Sequence, residues 1–153
     1  MKTLKVRKSF EHFEVEVGDE TVTCTIDCTG SSVNALAAKC IKARKQALAL
    51  DTLKEKTFDR KKLNKLSEDM AAIIGPIIVD GIGEESYDAI LTACGDGVKL
   101  KPAQCNLVMV QVFATVCQAI LERLNDVKQN KAAHYLQDVV ADAQKPDDEK
   151  RDR

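Results

Sequence analysis

The sequence contains no tryptophan and few other aromatic residues, which make up only 4% of its 153 positions. A core must therefore be built mainly from alanine, valine, leucine and isoleucine, and this favours packed helices over an aromatic-rich β-sandwich. Apolar residues account for 44% and charged residues for 31% of the chain, the balance of an ordinary globular domain. A chain of this length buries about two-thirds of its unfolded surface, so it can fold without disulfides or a metal ion.

The chain also lacks an excess of charge of either sign, since its formal net charge at pH 7 is −1. No overall field attracts nucleic acid or an anionic membrane, so we expect neither as a partner. Bases concentrate near the N-terminus and between Lys54 and Lys65, where six Lys or Arg stand against two acids. Solvated helix surface is the simpler explanation of this basic stretch, and a nucleic-acid contact is the alternative.

No hydrophobic leader opens the sequence, because charged residues begin at Lys2. We therefore expect a cytoplasmic protein whose six cysteines remain reduced. Cys24 and Cys28 have three residues between them, whereas metal and redox pairs usually have two, and a metal also needs a second pair. The other four cysteines occupy apolar or helical surroundings typical of core residues (Cys40, Cys94, Cys105 and Cys117). The cysteines predict neither a metal site nor a cofactor site.

Residues suited to catalysis are equally sparse. The two histidines, His12 and His134, have no nucleophile or carboxylate at a spacing typical of a catalytic pair. The stretch DGIGEE, from Asp80 to Glu85, lacks both the alternating oxygen ligands of a calcium loop and the flanking residues of a phosphate-binding loop. We interpret it as a helix junction, in which Gly81 and Gly83 end one helix and two glutamates open the next. The sequence therefore predicts no enzyme.

The clearest local pattern is that of a β-hairpin around Gly18-Asp19. Apolar residues alternate with glutamates before this pair and with threonines after it, and a glycine in first position favours a II′ turn. The apolar positions share one face of the hairpin (Phe13, Val15, Val17, Val22, Cys24 and Ile26). A two-stranded ribbon is marginal alone, so this face is expected to pack on helices or to contact another subunit. We take the six residues as a candidate self-association ribbon.

The rest of the chain has the apolar spacing of helices. They are predicted over residues 32–55, 60–82, 84–91 and 102–126, and residues 127–143 extend the last helix or form another. Gly75-Pro76 makes the second helix either bent or two abutting helices. Residues 102–121 carry no charge and are long enough to cross a bilayer, but several amides favour a buried central helix.

These elements predict a mostly α fold, in which an N-terminal antiparallel hairpin packs on a bundle of about four to five helices. Residues 1–10 are expected to form a flexible basic arm, and residues 11–143 a single domain. Residues 144–153 are expected to be a disordered charged tail, because the sequence from Lys145 onward contains no apolar residue.

One segment, VDGIGEESYDAIL at residues 79–91, resembles a short acidic-glycine motif of the tail assembly chaperones of long-tailed phages, especially those of Gram-positive hosts. The hairpin, the helical body and the apolar helix NLVMVQVFATVCQAILERL follow in the same order as in that family, so the resemblance covers about residues 12–126. Glu85 departs from the motif, which commonly has glycine there. The matching positions are Asp80, Gly83, Glu84, Tyr87 and Ile90.

The resemblance implies a non-enzymatic protein of the host cytoplasm that binds the long, helical tape measure protein until tail tube subunits replace it. It also implies a homo-oligomer, whereas the physics of the residues equally allows a monomer in which the two apolar faces close on each other. Two other functions stay open. One is a virion structural or connector protein of a phage tail, and the other is a small nucleic-acid-binding regulator.

Overall fold

A computed structural model describes residues 2–129, and residues 1 and 130–153 lie outside this description. Its elements are the strands β1 (Phe10–Val17) and β2 (Glu20–Asp27) and the helices α1 (Gly30–Glu55), α2 (Arg60–Ile82), α3 (Glu84–Cys94) and α4 (Asn106–Gln129). A 3-10 turn, Pro102–Cys105, leads into α4. The predicted mostly α fold with an N-terminal antiparallel hairpin is confirmed. Of the helical residues expected at 127–143, residues 130–143 lie outside the described residues, as does the tail expected at 144–153.

The hairpin has the predicted turn. β1 and β2 pair antiparallel with Val17 opposite Glu20, so Gly18 and Asp19 form a two-residue connection. Gly18 has a positive φ of 58° and Asp19 does not, which is the pattern of a II′ turn. The hairpin packs through β2 on α2 and α3, and β1 lies beside α4.

The segment before the hairpin has neither helix nor strand from residue 2 to residue 8. Its end is nevertheless held to α4, because Arg123 Nη2 donates to the backbone carbonyl of Lys8 and, at 3.2 Å, to Glu11 Oε1. Arg7 also pairs with Asp126, with 3.1 Å between Nε and Oδ2. The region predicted as a flexible arm therefore includes an anchored portion, and β1 already begins at its last residue.

α1 starts two residues earlier than predicted, because the last residue of β2 accepts hydrogen bonds from residues at the start of the helix. Asp27 Oδ1 accepts a hydrogen bond of 2.9 Å from the backbone N–H of Thr29, and Asp27 Oδ2 accepts one of 2.9 Å from Ser32 Oγ. These donors, the backbone N–H first, hold the pKa of Asp27 below its ordinary value. The turn between β2 and α1 is thus held mainly by one carboxylate.

α2 is one uninterrupted helix, which decides between the two alternatives left by Gly75-Pro76. Asp59 caps its start by accepting from the backbone N–H of Lys61 at 3.0 Å. Pro76 removes the hydrogen bond to the carbonyl of Ala72, and both residues lie on the exposed face of the helix. Water can therefore solvate the freed carbonyl, so the proline is tolerated.

The α2–α3 junction corrects one prediction. Gly83 ends α2 with a φ of 87°, and Glu84 and Glu85 lie in the first turn of α3, as expected. Gly81, however, is buried inside α2 and does not end it. A Cβ built on Gly81 would lie 2.5 Å from Val116 Cγ1, so this glycine allows α2 and α4 to approach closely.

α4 is the central helix of the described chain and contacts both α1 and α2. Its inward face includes Met109, Val116 and Ile120, which are all fully buried. The stretch Pro102–Asp126 is long and apolar enough to cross a membrane by length and composition, with 39% of its most apolar window buried in this fold. The prediction of a buried central helix agrees with this packing, and the prediction of no membrane partner stays a prediction.

Candidate interaction surface

The end of the α1–α2 helix pair forms a tip, residues 44–69, in which no residue is buried. The same two helices are well buried at their base, residues 30–43 and 70–82, where Cys40, Ile74 and Ile78 are completely inaccessible. The tip is nevertheless rich in apolar side chains. Leu48, Leu53 and Phe58 are 66%, 52% and 93% exposed, and the half-buried positions are Ala47, Leu50, Leu63 and Leu66.

The basic stretch predicted from the sequence coincides with this tip. All six of its Lys and Arg lie between the last turn of α1 and the first turns of α2. Lys65 pairs with Asp69 at 3.1 Å, and the carboxylate holds the pKa of Lys65 above its ordinary value by accepting its hydrogen bond. The tip therefore combines exposed apolar side chains with positive charge, and this combination suits an amphipathic partner that carries acids.

A groove of about 740 Å³ runs between α1 and α4. Its walls are mainly apolar and include Leu48 of α1 together with Val110, Phe113 and Leu121 of α4. Arg44, Asp51 and Glu122 place charges along the groove. A mainly apolar groove between two helices has the form that accepts a further helix.

Contacts at the two ends of α4 show which end of the groove lies nearer the tip. At one end of α4, Asn106 Nδ2 donates to the carbonyl of Ser67, which belongs to the tip, at 3.0 Å. Near the other end, Arg123 bonds to the segment before β1. Following the groove from Asn125 to Val110 therefore leads from the N-terminal segment toward the tip.

The candidate self-association ribbon lies on one face of the hairpin, but the chain itself uses much of that face. Cys24 and Ile26 are 0% and 1% exposed, so they contact this chain's own helices and cannot meet another subunit in this conformation. The other four residues of the ribbon are half-buried (Phe13, Val15, Val17 and Val22). Self-association through the hairpin would therefore rely on its strand edges and the margin of the face.

Four residues of the segment that resembles the chaperone motif lie at or beside the α2–α3 junction. Asp80 pairs with Lys39 of α1, with 3.4 Å between Oδ2 and Nζ. Gly83 lies between the two helices, and its carbonyl accepts from the backbone N–H of Tyr87 at 3.2 Å. The Tyr87 hydroxyl lies 3.1 Å from where a Cβ on Gly75 would be, and burial raises the pKa of Tyr87. Glu84 is an acid in the first turn of α3.

All six cysteines are free thiols, and two pairs of thiols that the sequence did not associate with each other meet in the fold. Cys24 and Cys28 are both buried, and burial raises the pKa of each thiol. The thiols that meet come from distant elements. Cys117 lies against Cys40, and Cys105 lies against Cys94, although all four are free thiols. Burial, with the neighbouring Cys94 thiol, raises the pKa of Cys105 to about 11, and the hydrogen bond with Cys40 raises that of Cys117.

No group of three His, Cys, Asp or Glu side chains within residues 2–129 is arranged to hold a metal ion. His12 lies inside β1, and its Nδ1 is 2.9 Å from Thr25 Oγ1 on the opposite strand. His134 lies outside the described residues. The predictions of no enzyme, no cofactor and no metal stay predictions.

No family model, no curated protein and no solved structure matches the chain. The tip and the groove are thus the features of the described residues on which a function can be argued. The apolar spacing of residues 32–55 predicted the helix, but it did not show that Leu48 and Leu53 would be left exposed by the other described residues. The signal available was the length of the stripe, which continues through residues 47–53 while α4 begins only opposite Ser67.

Proposed function

We propose that this protein is a non-enzymatic tail assembly chaperone that binds the tape measure protein during phage tail assembly in the host cytoplasm. The observation that carries the proposal is the tip, in which 26 consecutive positions, 44–69, include no buried residue although many are apolar. Exposed apolar surface on this scale marks a site that another molecule covers. The resemblance of residues 79–91 to the chaperone motif supports the same function.

The chemistry of the tip suits a long helical client. Leu53 and Phe58 offer apolar contacts, and the surrounding lysines and arginines attract acids on the polar face of the bound helix. Contacts of this kind require no particular client sequence, so one chaperone can bind successive stretches of the same long helix. Many copies could then cover a single tape measure protein.

Co-expression with the tape measure protein encoded beside this gene tests the proposal. We expect the client to become soluble and to co-purify with this chain. Changing Leu53→Glu together with Phe58→Glu should weaken binding by about tenfold or more, because loss of about 1.4 kcal/mol of apolar burial already corresponds to that factor. If the client stays insoluble and does not co-purify with the unchanged chain, the proposal fails.

The matched control places the same two charges on exposed apolar residues elsewhere. Val6 and Val98 are 80% and 69% exposed and lie outside the tip, so Val6→Glu with Val98→Glu should leave client binding unchanged. Equal loss of binding in the two double variants would show that added negative charge, rather than the tip, is responsible.

We also propose that the chaperone is a homo-oligomer, since both edges of the two-stranded hairpin are without a further strand among the described residues. Strand edges of this kind pair readily with another chain. Light scattering over a range of protein concentrations should show a mass above 16.8 kDa that increases with concentration. A mass that stays at the monomer value throughout would contradict this part of the proposal.

Two alternative functions have separate tests. Retention of this chain in purified virions, detected by mass spectrometry, would favour a structural or connector protein of the tail. The basic residues of the tip favour, as a second alternative, a small nucleic-acid-binding regulator. That function requires DNA binding that weakens steeply with added salt, and lack of binding at low salt would dismiss it.

A further inference from the structure

We propose that the N-terminal arm, residues 2–8, adds as a strand to the β1 edge of a second copy of this chain. This inference rests on the self-association proposed above, and it names the segment and the edge that form the contact. It is carried by the backbone groups of that edge, the cleft beside it, and the apolar pattern and charge of the arm.

The edge of β1 offers hydrogen-bonding groups to a further strand. The two-residue turn makes Val17 and Glu20 a hydrogen-bonded pair, and such pairs alternate along an antiparallel ladder. The bond of 2.8 Å from the backbone N–H of Cys28 to the carbonyl of Ser9 agrees with this alternation. The intervening residues of β1 therefore point their N–H and C=O groups away from β2 (Phe10, His12, Glu14 and Glu16). Among residues 2–129, no further strand pairs with them.

A cleft of about 230 Å³ lies beside this edge, between β1 and α4. Phe13 and Val15 line it from the inner face of β1 and Glu14 from the outer face, so the cleft opens at the edge of the strand. Val108 and Val112 contribute apolar surface from α4. A strand added here would place alternate side chains against this apolar surface and the others on the outer face of the hairpin.

The arm has the side-chain pattern that this position requires. Leu4 and Val6 are 70% and 80% exposed, so the other described residues leave both largely uncovered. They are two positions apart and share one face of an extended chain, whereas Lys5 lies on the other face. On the β1 edge, the two apolar side chains would face the cleft, and Lys5 would lie beside the exposed Glu14 and Glu16.

Charge also favours the hairpin as the surface that accepts the arm. The arm contains four Lys or Arg and no acid. The two strands and their turn, residues 10–27, contain six acids and no Lys or Arg. The arm of one copy and the hairpin of another therefore attract each other.

Within one copy, the arm is held away from its own β1 edge. Arg7 pairs with Asp126 at 3.1 Å, and Arg123 donates to the backbone carbonyl of Lys8. The arm can reach its own β1 edge only by reversing direction at these residues, which both contacts oppose. Residues 2–6 lie beyond the contacts and span about 17 Å as a strand, enough to cover the cleft of another copy.

Sedimentation velocity of the full chain over a range of concentrations tests the proposal. We expect a mass that rises above the monomer value with concentration. Leu4→Glu with Val6→Glu should raise the dissociation constant by about tenfold or more, because loss of about 1.4 kcal/mol of apolar burial corresponds to that factor. Both side chains are exposed in the single copy, so the fold should be retained, which circular dichroism checks. A strictly monomeric chain, or an oligomer that this variant leaves unchanged, would overturn the proposal.

The tip variant, Leu53→Glu with Phe58→Glu, is the matched control, since it also places two glutamates on exposed apolar residues. It should leave self-association unchanged while weakening client binding, and the arm variant should do the reverse. Equal losses of self-association in the two variants would show that added negative charge is responsible, and the inference would fail. Because client binding is measured separately, failure of this inference and failure of the proposed chaperone function are distinguishable.

Two proline variants identify which edge of the hairpin accepts the arm. Glu14 and Thr23 are opposite each other, and the backbone N–H of each points outward from the hairpin. Glu14→Pro removes an outward N–H of β1 and should raise the dissociation constant by about fivefold, as for the loss of one hydrogen bond. Thr23→Pro makes the same change on β2 and should have no effect on self-association. The opposite result would place the contact on the β2 edge and overturn the proposal.

Carbodiimide cross-linking of a mixture of unlabelled and isotope-labelled chains identifies the contact directly, because the reagent joins a lysine to a carboxylate that touches it. We expect cross-links from Lys5 to Glu14 or Glu16 that join one unlabelled and one labelled chain. Cross-links confined to chains of one label would show that the arm folds back on its own hairpin. Cross-links from Lys5 only to carboxylates outside the hairpin would show that the arm binds elsewhere. Either of these two results would overturn the proposal.

Discussion

The base and the tip belong to the same two helices, yet only the base is buried. Ile74 and Ile78 of α2 are completely inaccessible, whereas Leu53 and Phe58, at the other end of the pair, are 52% and 93% exposed. Both regions carry aliphatic residues at helical spacing. The comparison teaches that a periodic apolar stripe predicts a helix with one apolar face, but it does not predict which other element packs on that face.

The difference has a simple geometric cause. α1 has 26 residues and α2 has 23, and their connection lies beyond the point where α4 starts. Asn106 at the start of α4 already bonds to Ser67, so the turns of α2 before that residue have α1 as their neighbour but not α4. The base therefore has α4 and the hairpin packed against it, whereas the tip meets α4 at the groove and at the bond from Asn106 to Ser67 and has no buried residue.

The largest expected effect is on stability, and it should differ between the base and the tip. Ile78→Ala removes a fully buried side chain at the base and should lower the free energy of unfolding by about 2–5 kcal/mol, through lost burial and the cavity left behind. Leu53→Ala in the tip should change it by no more than about 0.5 kcal/mol. Urea unfolding followed by circular dichroism measures both values.

Equal losses in these two variants would contradict the comparison, since they would mean that the tip is covered in solution. Phe58→Ala then identifies what kind of cover is present. At 93% exposure this side chain has almost no contact within the described chain, so any loss of stability must come from residues outside 2–129 or from another copy. A loss that grows with protein concentration would indicate another copy.

A smaller loss of stability is expected from a substitution at Gly81, where α2 and α4 approach each other closely. Gly81→Ala places a Cβ against Val116 and should lower the free energy of unfolding by about 1–3 kcal/mol, because the buried helices must move apart. In the double variant Gly81→Ala with Val116→Ala, the loss should be smaller than the sum of the two single losses. Gly30→Ala, at the first position of α1, is the control, since a Cβ there meets nothing within 4 Å.

Strictly additive losses at Gly81 and Val116 would mean that the glycine is not needed for the close approach. The cost of Gly81→Ala would then come from another source, and the helices at the base would be packed less tightly than the structure shows. The same urea titrations provide the free energies for both single variants and the double variant.

Local chemistry made much of the fold predictable from the sequence. The alternation on each side of Gly18-Asp19 is decided by neighbours in sequence, and the turn has the predicted type. The same holds for Glu84 in the first turn of α3, since a helix end depends on the few residues around it.

What was missed depends on contacts between residues far apart in the chain. Gly81 looked like a helix terminator, but its place is decided by Val116, which lies 35 positions later. The meeting of Cys94 with Cys105, and of Cys40 with Cys117, depends likewise on how α1, α3 and α4 are arranged. The candidate surface was missed for the same reason, because whether Leu48 or Leu53 is covered depends on where α4 begins.

The smallest expected effect is on the rate of thiol alkylation rather than on stability. It is measured at the native cysteines, all six of which lie outside the tip. Burial raises the pKa of Cys105 to about 11, so only about one thiol in a thousand is ionised at pH 8. Because the thiolate is the reactive form, alkylation of Cys105 should be slow at pH 8 and accelerate as the pH rises toward 11. Peptide mass spectrometry after timed iodoacetamide treatment follows each site separately.

A cysteine introduced in the tip supplies the matching measurement. Leu53→Cys replaces a side chain that is 52% exposed, so at pH 8 it should react at least about a hundredfold faster than Cys105, from its ordinary pKa of about 8.5. Comparable rates at the two sites would mean that the packing around Cys105 loosens readily, because a thiol released from that packing regains its ordinary pKa. A wide separation, with Cys105 following the pH as predicted, would show that closed packing at Cys105 and an open tip occur together in the same molecule.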